Sequence, residues 1–282
     1  MSTELARWPA RLLGETVRYG VVIFATVVVG YPVLWMLLQS LKTKFEMYAN
    51  VWGLPSQLFV ENYVQAWRIA RMGTYIFNSL IVSLGTVVVV LVTASLAGYA
   101  FGKLRFAGSR VLFYTFVFTL IVPHQVTIIP LYAVVSGLGL SNTYFALILP
   151  YAAGGLPLSI FLLRAFFESV PREIEEAARI DGCSELAAFW RVVLPISGPG
   201  LATVTILQFL GAWNEFILAL IFIRNPSLRT IPLGLQAFFF EYAVEWGYLF
   251  AALSMATVPV IVVYVLMQRQ FIRGLTAGAV KG

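Results

Sequence analysis

From Val111 to Leu163 the chain carries no charged residue if His124 is neutral, and from Met72 to Gly102 it carries none at all. Runs of this length limit the possible folds more than any other feature. A soluble domain averages about 25% charged residues; here the figure is 11%, with 60% of residues hydrophobic. Too little polar surface remains to face water. A bilayer removes the difficulty, because lipid can face apolar side chains while helices satisfy their own backbone. The sequence therefore reads as an all-α membrane protein.

A hydrocarbon core about 30 Å thick takes about 20 apolar helical residues. The segment 19–41 lies uncharged between Arg18 and Lys42. It is too long for a cleaved signal core, so it is expected to stay as the first span. The second is 76–100. The long run from Val111 divides at Ser136-Gly137-Leu138-Gly139-Leu140-Ser141-Asn142, where glycine, serine and asparagine signal a turn. Spans three and four fall at 111–135 and 143–163, span five at 198–223 and span six at 247–267. Six spans put both ends on one side. That side carries thirteen basic residues against six on the other, which predicts cytoplasmic termini in a multi-pass inner-membrane protein. The expected organisation is a cytoplasmic N-terminus (1–18), a six-span domain (19–271) and a cytoplasmic tail (272–282).

Several function classes fall away. The formal charge of +6 is spread thinly between apolar runs, unlike the basic stripe of a nucleic-acid binder. One cysteine, Cys183, allows no intrachain disulfide. One histidine builds no zinc site alone, and no nucleophile–base pair marks a membrane enzyme. The single Gly-Lys pair, Gly102-Lys103, has Ala97 and Leu104 where a phosphate-binding loop needs glycine and Ser/Thr. The chain is expected to bind no cofactor and to hydrolyse no ATP itself.

The loop 164–197 departs from the apolar pattern, with six of the chain's 13 acidic residues between Arg164 and Pro195. Pro171 suits a first helical turn, and Glu173, Glu175 and Glu176 follow near the positive end of the dipole. Ile174, Ala177 and Ala178 sit at i, i+3 and i+4, which predicts a flat face for close approach. Gly182 ends this helix and Ser184 can cap another. Leu186, Phe189, Trp190 and Val193 then form an apolar stripe. Such an element could lie on the membrane, but the anionic cytoplasmic leaflet repels its carboxylates. A protein partner fits better.

Glu176-Ala177-Ala178-Arg179-Ile180-Asp181-Gly182, followed by Leu194-Pro195, resembles the EAA loop of ABC-importer permeases. Further stretches resemble the carbohydrate branch, of the maltose-permease type: Asn78-Ser79-Leu80, Gln125 to Pro130, Trp213-Asn214-Glu215-Phe216 and the tail Leu275–Gly282. The resemblance implies the type I importer permease fold, with six spans and a cytoplasmic two-helix coupling loop. It implies that the loop docks in a cleft of a cytoplasmic ATPase, through Glu175, Glu176, Ala177, Ala178, Asp181, Gly182, Leu194 and Pro195. The tail would reach between the ATPase subunits, unless it is simply a frayed end. The loop 224–246, with Gln236, Phe238, Phe239, Phe240, Glu241 and Tyr242, would probe an extracytoplasmic sugar-binding protein; an aromatic interfacial belt is its plainer reading. The implied partners are a second homologous permease, an ATPase dimer carrying ATP and Mg, and that binding protein. The cargo would be a sugar.

Glu215 is the only acidic residue inside an expected span, and such charges usually face an interior. With Asn214, Tyr151, His124 and Gln125 it is a candidate for the translocation path; helix packing is the alternative for each. A proton-coupled secondary transporter using Glu215 is the rival mechanism.

Overall fold

The computed structural model describes residues 7–69, 71–236, 238 and 245–279. Their regular structure is all helical, with no strand among the described residues. In chain order the helices are α1 (Arg7–Ser40), α2 (Lys44–Ala49), α3 (Glu61–Ile69), α4 (Met72–Lys103), α5 (Ser109–Thr119), α6 (His124–Gly137), α7 (Phe145–Ser169), α8 (Arg172–Ile180), α9 (Glu185–Ile196), α10 (Gly198–Asn214), α11 (Ile217–Phe222), α12 (Ile231–Leu235) and α13 (Trp246–Ala279). By length and apolarity α1, α4, α7 and α13 each suffice to cross a membrane, and the number reaches six if each of the bent pairs α5–α6 and α9–α10, the latter including the second helix of the loop 164–197, is counted as one span.

Two units divide the chain, residues 1–70 with 238–255, and 71–237 with 256–282. In the first, the turn after α1 folds around Lys42, whose side chain is buried and donates from Nζ to the carbonyls of Asn50 (2.7 Å) and Val51 (3.3 Å). Buried Asn62 donates to the Ser40 and Lys42 carbonyls at 2.9 and 2.8 Å. Trp35 meets Phe250 edge to face, its ring centroid 5.4 Å away. Phe45, Tyr48, Trp52 and Trp67 stay exposed.

In the second unit α4 packs along α7 and α10. Val90, Ala94, Tyr99, Ile160, Leu163, Phe167, Phe189, Val193 and Val204 form one cluster. Val82, Ala146, Leu147, Ala219, Phe222 and Leu233 form another. Between lipid-embedded helices the hydrophobic effect supplies no drive, so close packing must. Gly98 and Gly102, one turn apart, provide it: a Cβ at Gly98 would lie 3.1 Å from the Arg164 nitrogen, and one at Gly102 would lie 3.2 Å from the Arg164 carbonyl oxygen. Gly98→Leu is expected to cost at least about 1–3 kcal/mol by overpacking, read as a lower melting temperature in detergent.

The expected third span, 111–135, is two helices bent by 103°. Leu120, Ile121 and Val122 tighten into i→i−3 hydrogen bonds. Pro123 then takes an extended conformation (ψ 130°) and removes a donor. The expected fifth span is likewise interrupted, at Glu215 (ψ 129°), and resumes as α11. The tail expected from 272 begins inside α13, which stays helical through Ala279; residues 280–282 lie outside the described set.

The turn at 136–142 closes as the sequence suggests. Gly139 (φ +69°) donates to the Ser136 carbonyl and Leu140 to that of Val135, a Schellman closure. Asn142 then adopts φ +62°, uncommon outside glycine but tolerated by asparagine. Its Oδ1 accepts the N–H groups of Arg224 (3.1 Å) and Asn225 (2.8 Å), and its own N–H donates to the Phe222 carbonyl (2.9 Å). Asn142→Ala should lower stability by about 1–3 kcal/mol, more than Asn142→Gly, when the two are compared by thermal unfolding.

Asn78 and Ser79 have a similar anchoring role. Asn78 Nδ2 donates to the Ser227 and Arg229 carbonyls (2.8 and 2.9 Å), its Oδ1 accepts from the Tyr144 hydroxyl (2.7 Å), and Ser79 Oγ accepts the Ile231 N–H (2.8 Å). Together they fasten the start of the loop 224–246 to α4.

Candidate functional site: the loop between the fourth and fifth spans

α8 begins at Arg172 with Pro171 as its N-cap, one residue later than the sequence suggested. Glu173 and Glu175 fall in its first turn, where the dipole favours them. Its end is another Schellman closure: Gly182 (φ +85°) donates to the Arg179 carbonyl and Cys183 to that of Ala178, each at 3.0 Å. Ser184 Oγ accepts the Ala187 N–H at 3.3 Å and starts α9. Arg179 and Glu185 bridge the bend at 2.8 Å. The two-helix element with its glycine bend is therefore present.

Its faces differ from the expectation. Neighbouring residues on a helix are about 100° apart, so Ala177 and Ala178 straddle an edge rather than share a face. Ala178 and Glu175 turn into the protein, while Ile174, Glu176, Ala177, Asp181 and Gly182 are exposed. Phe189 to Val193 form a π-helical turn that splits the expected stripe. Phe189 and Val193 are buried, Phe189 with its ring 4.8 Å from that of Tyr99; Leu186 and Trp190 face outward. Leu194 is half-buried and Pro195 exposed. The outward surface thus carries Glu176 beside Ile180, Leu186 and Trp190.

Glu175 has partners within the chain. Its Oε1 lies 2.5 Å from Lys103 Nζ, and its Oε2 accepts from the Tyr99 hydroxyl at 3.2 Å. Both side chains of the ion pair are more than nine-tenths buried. Lys103 also donates to the Val170 carbonyl at 2.6 Å. Lys103 lies far away in sequence, and only its place at the end of an uncharged run hinted at a role. Beside the pair, Arg105, Arg172, Glu176 and Arg179 line a charged groove.

At membrane depth, Tyr151 and Glu215 come together. The Tyr151 hydroxyl donates to Glu215 Oε2 at 2.5 Å. The same carboxylate accepts the N–H groups of Leu218 (Oε1, 2.9 Å) and Ala219 (Oε2, 3.3 Å), capping α11. Asn214 is exposed and donates back to the Leu210 carbonyl at 2.9 Å. His124 opens α6 at the Pro123 break instead of lying within a continuous span, and is exposed with Gln125. Its ring edge approaches Gly154, where a Cβ would stand 3.4 Å from Cε1. Gln208 went unnoticed in the sequence. Its Nε2 donates to the Gly155 carbonyl (3.3 Å) and Ser159 Oγ (3.0 Å), and a Cβ at Gly155 would collide with it. Tyr151, Gly155 and Ser159 at i, i+4 and i+8 were the available signal. In the loop 224–246, Gln236 is half-buried and Phe238 buried, while Phe239, Phe240, Glu241 and Tyr242 lie outside the described residues.

Residues 90–277 match the family described as "Binding-protein-dependent transport system inner membrane component". The chain belongs to this family. It is 39% identical over 270 residues to a probable ABC transporter permease of Bacillus subtilis (strain 168), covering 96% of this chain and 90% of that one. It is 38% identical over 253 residues to the sulfoquinovosyl glycerol transport system permease of Agrobacterium fabrum (strain C58), covering 89% of each. Among solved structures it resembles a bacterial ABC transporter involved in import of the acidic polysaccharide alginate, with TM-score 0.79, 27% identity, and coverage of 93% of this chain and 97% of that one. This permease is thus a multi-pass inner-membrane component with the ABC-importer permease fold, working in a system that includes a binding protein and an ATPase.

Proposed function

We propose that this permease translocates a sugar, delivered by an extracytoplasmic binding protein, into the cytoplasm, driven by ATP hydrolysis on a partner ATPase dimer. The observation that carries the reading is the bent α8–α9 element, which keeps Glu176, Ile180, Leu186 and Trp190 exposed in a chain that has no phosphate-binding loop of its own. A rigid helix lodged in a cleft transmits rigid-body motion, and rocking of the spans gives alternating access. The cargo class is supported by relatives named for sulfoquinovosyl glycerol, diacetylchitobiose and trehalose transport. A second, homologous permease completes the pore as a heterodimer. Both termini are cytoplasmic, following the basic-residue bias. The chain binds no cofactor and catalyses no reaction itself; ATP and Mg reside on the ATPase. The loop 224–246, which contains Gln236, is the contact for the binding protein, and Tyr151 and Glu215, with His124, Gln125 and Asn214, border the path.

Reconstitution with the co-encoded permease, ATPase and binding protein tests this. Uptake of the sugar that the binding protein holds should require ATP and survive collapse of the proton gradient. Uptake that follows the gradient and ignores loss of the ATPase would establish the rival secondary transporter.

A further inference from the structure

We infer that the Lys103–Glu175 pair is the joint through which motion of α8 reaches the spanning helix α4; the inference rests on the docking role proposed for α8 above. The covalent chain leads from α8 backward into α7 through Val170 and forward into α9 through the Gly182 bend. Neither connection leads to α4. Yet α4 is central to its unit, packed against α7 and α10 and approached closely at Gly98.

The link to α4 is made by side chains. Lys103 is its last residue, and Tyr99 stands one turn earlier. Lys103 holds Glu175 Oε1 at 2.5 Å, and Tyr99 holds Oε2 at 3.2 Å. One α8 carboxylate therefore meets α4 twice, through an ion pair at Oε1 and a hydrogen bond at Oε2. Lys103 also holds the Val170 carbonyl at the root of α8 (2.6 Å). Tyr99 is wedged between Phe167 and Phe189, with ring centroids 6.1 and 4.8 Å away.

Burial is what makes this a stiff connection. Tilting α8 away from the end of α4 would separate two desolvated charges, which is far costlier than separating an exposed pair. α8 and α4 therefore move together. Glu176, the next residue, points outward. Adjacent glutamates thus divide two tasks, one toward the partner and one toward the spans. Glu175 and Lys103 are positioning residues, acting on the cargo only through the helices they connect.

The test uses the full complex with its co-encoded subunits, trapped with ATP and vanadate. Hydrogen exchange is followed in two peptides, one covering α8 and one covering the end of α4 with the loop after it. In the wild type both should change on trapping. Lys103→Met with Glu175→Met replaces the pair by apolar groups of similar length, a change that buried pairs often tolerate. This double variant should keep the α8 response and lose the α4 response. Lys103→Arg should retain both. An α4 response equal to wild type in the double variant overturns the inference. So does loss of the α8 response in that variant, since the pair would then shape the docking face rather than transmit from it. A wild-type complex in which α8 ignores ATP and vanadate refutes instead the docking role on which the inference rests.

Discussion

Glu176→Lys should leave the permease folded in the membrane and abolish both its ATPase binding and its uptake activity. The side chain is exposed on α8 and enters no ion pair with another described residue. A substitution at such a position usually alters stability by no more than about 0.5 kcal/mol. If Glu176 meets a basic residue in the ATPase cleft, as the docking role proposed above implies, the effect is much larger. An attractive pair becomes a repulsive one at a contact shielded from water, costing about 2–5 kcal/mol or more. Since each 1.4 kcal/mol is about tenfold in affinity, binding should weaken at least about thirtyfold. Co-purification of the ATPase with detergent-extracted permease measures this directly. An unimpaired complex would remove Glu176 from the docking surface. The neighbouring change, Glu175→Lys, should fail differently: it places a second cation against buried Lys103 and lowers the stability of the permease itself.

Glu215→Ala is expected to produce the largest loss at membrane depth, and Glu215→Gln to reverse most of it. The alanine variant removes three accepted hydrogen bonds, from Tyr151 and from the Leu218 and Ala219 N–H groups. Hydrogen bonds to a charged group contribute about 1.5–3 kcal/mol each, without simple additivity. The break between α10 and α11 would lose its cap, and the melting temperature and uptake should fall together. Glutamine cannot carry a proton, yet its one carbonyl oxygen can keep the bond from the Leu218 N–H while its amide donates to the Tyr151 hydroxyl, which can accept. Under ATP-driven import Glu215→Gln should retain substantial uptake. A proton-coupled mechanism needs the ionisable group, so the same variant would be inactive. Uptake by the two variants therefore separates a capping carboxylate from a proton carrier.

Much of the scaffold was legible in the sequence. Uncharged runs long enough to span a bilayer admit few alternatives, because lipid offers backbone groups no hydrogen-bond partner and the chain must satisfy them itself. The loop was legible through its punctuation: Gly182 can take a positive φ at little cost, and Ser184 offers a capping oxygen, so the bend follows from local chemistry. The turn at Gly139 follows for the same reason. The breaks were harder. Pro123 lay in view, but whether a proline merely kinks a helix or turns it by 103° depends on what surrounds it. At Glu215 no proline is present, and the interruption depends on a carboxylate that caps the next turn while bonding Tyr151, 64 residues away.

The sequence by itself determined the medium, the helical class and the existence of a bent, acidic loop, since each depends on composition or on neighbours within a turn or two. Only the tertiary structure decided which glutamate of that loop is buried and paired and which is exposed. A residue-by-residue pattern shows Glu175 and Glu176 as equals, two carboxylates in one helix. Packing distinguishes them: α4 ends beside one and brings Lys103 and Tyr99 against it, while the other stays exposed among the described residues. Burial and long-range partners arise from how the helices assemble, and no local spacing encodes them.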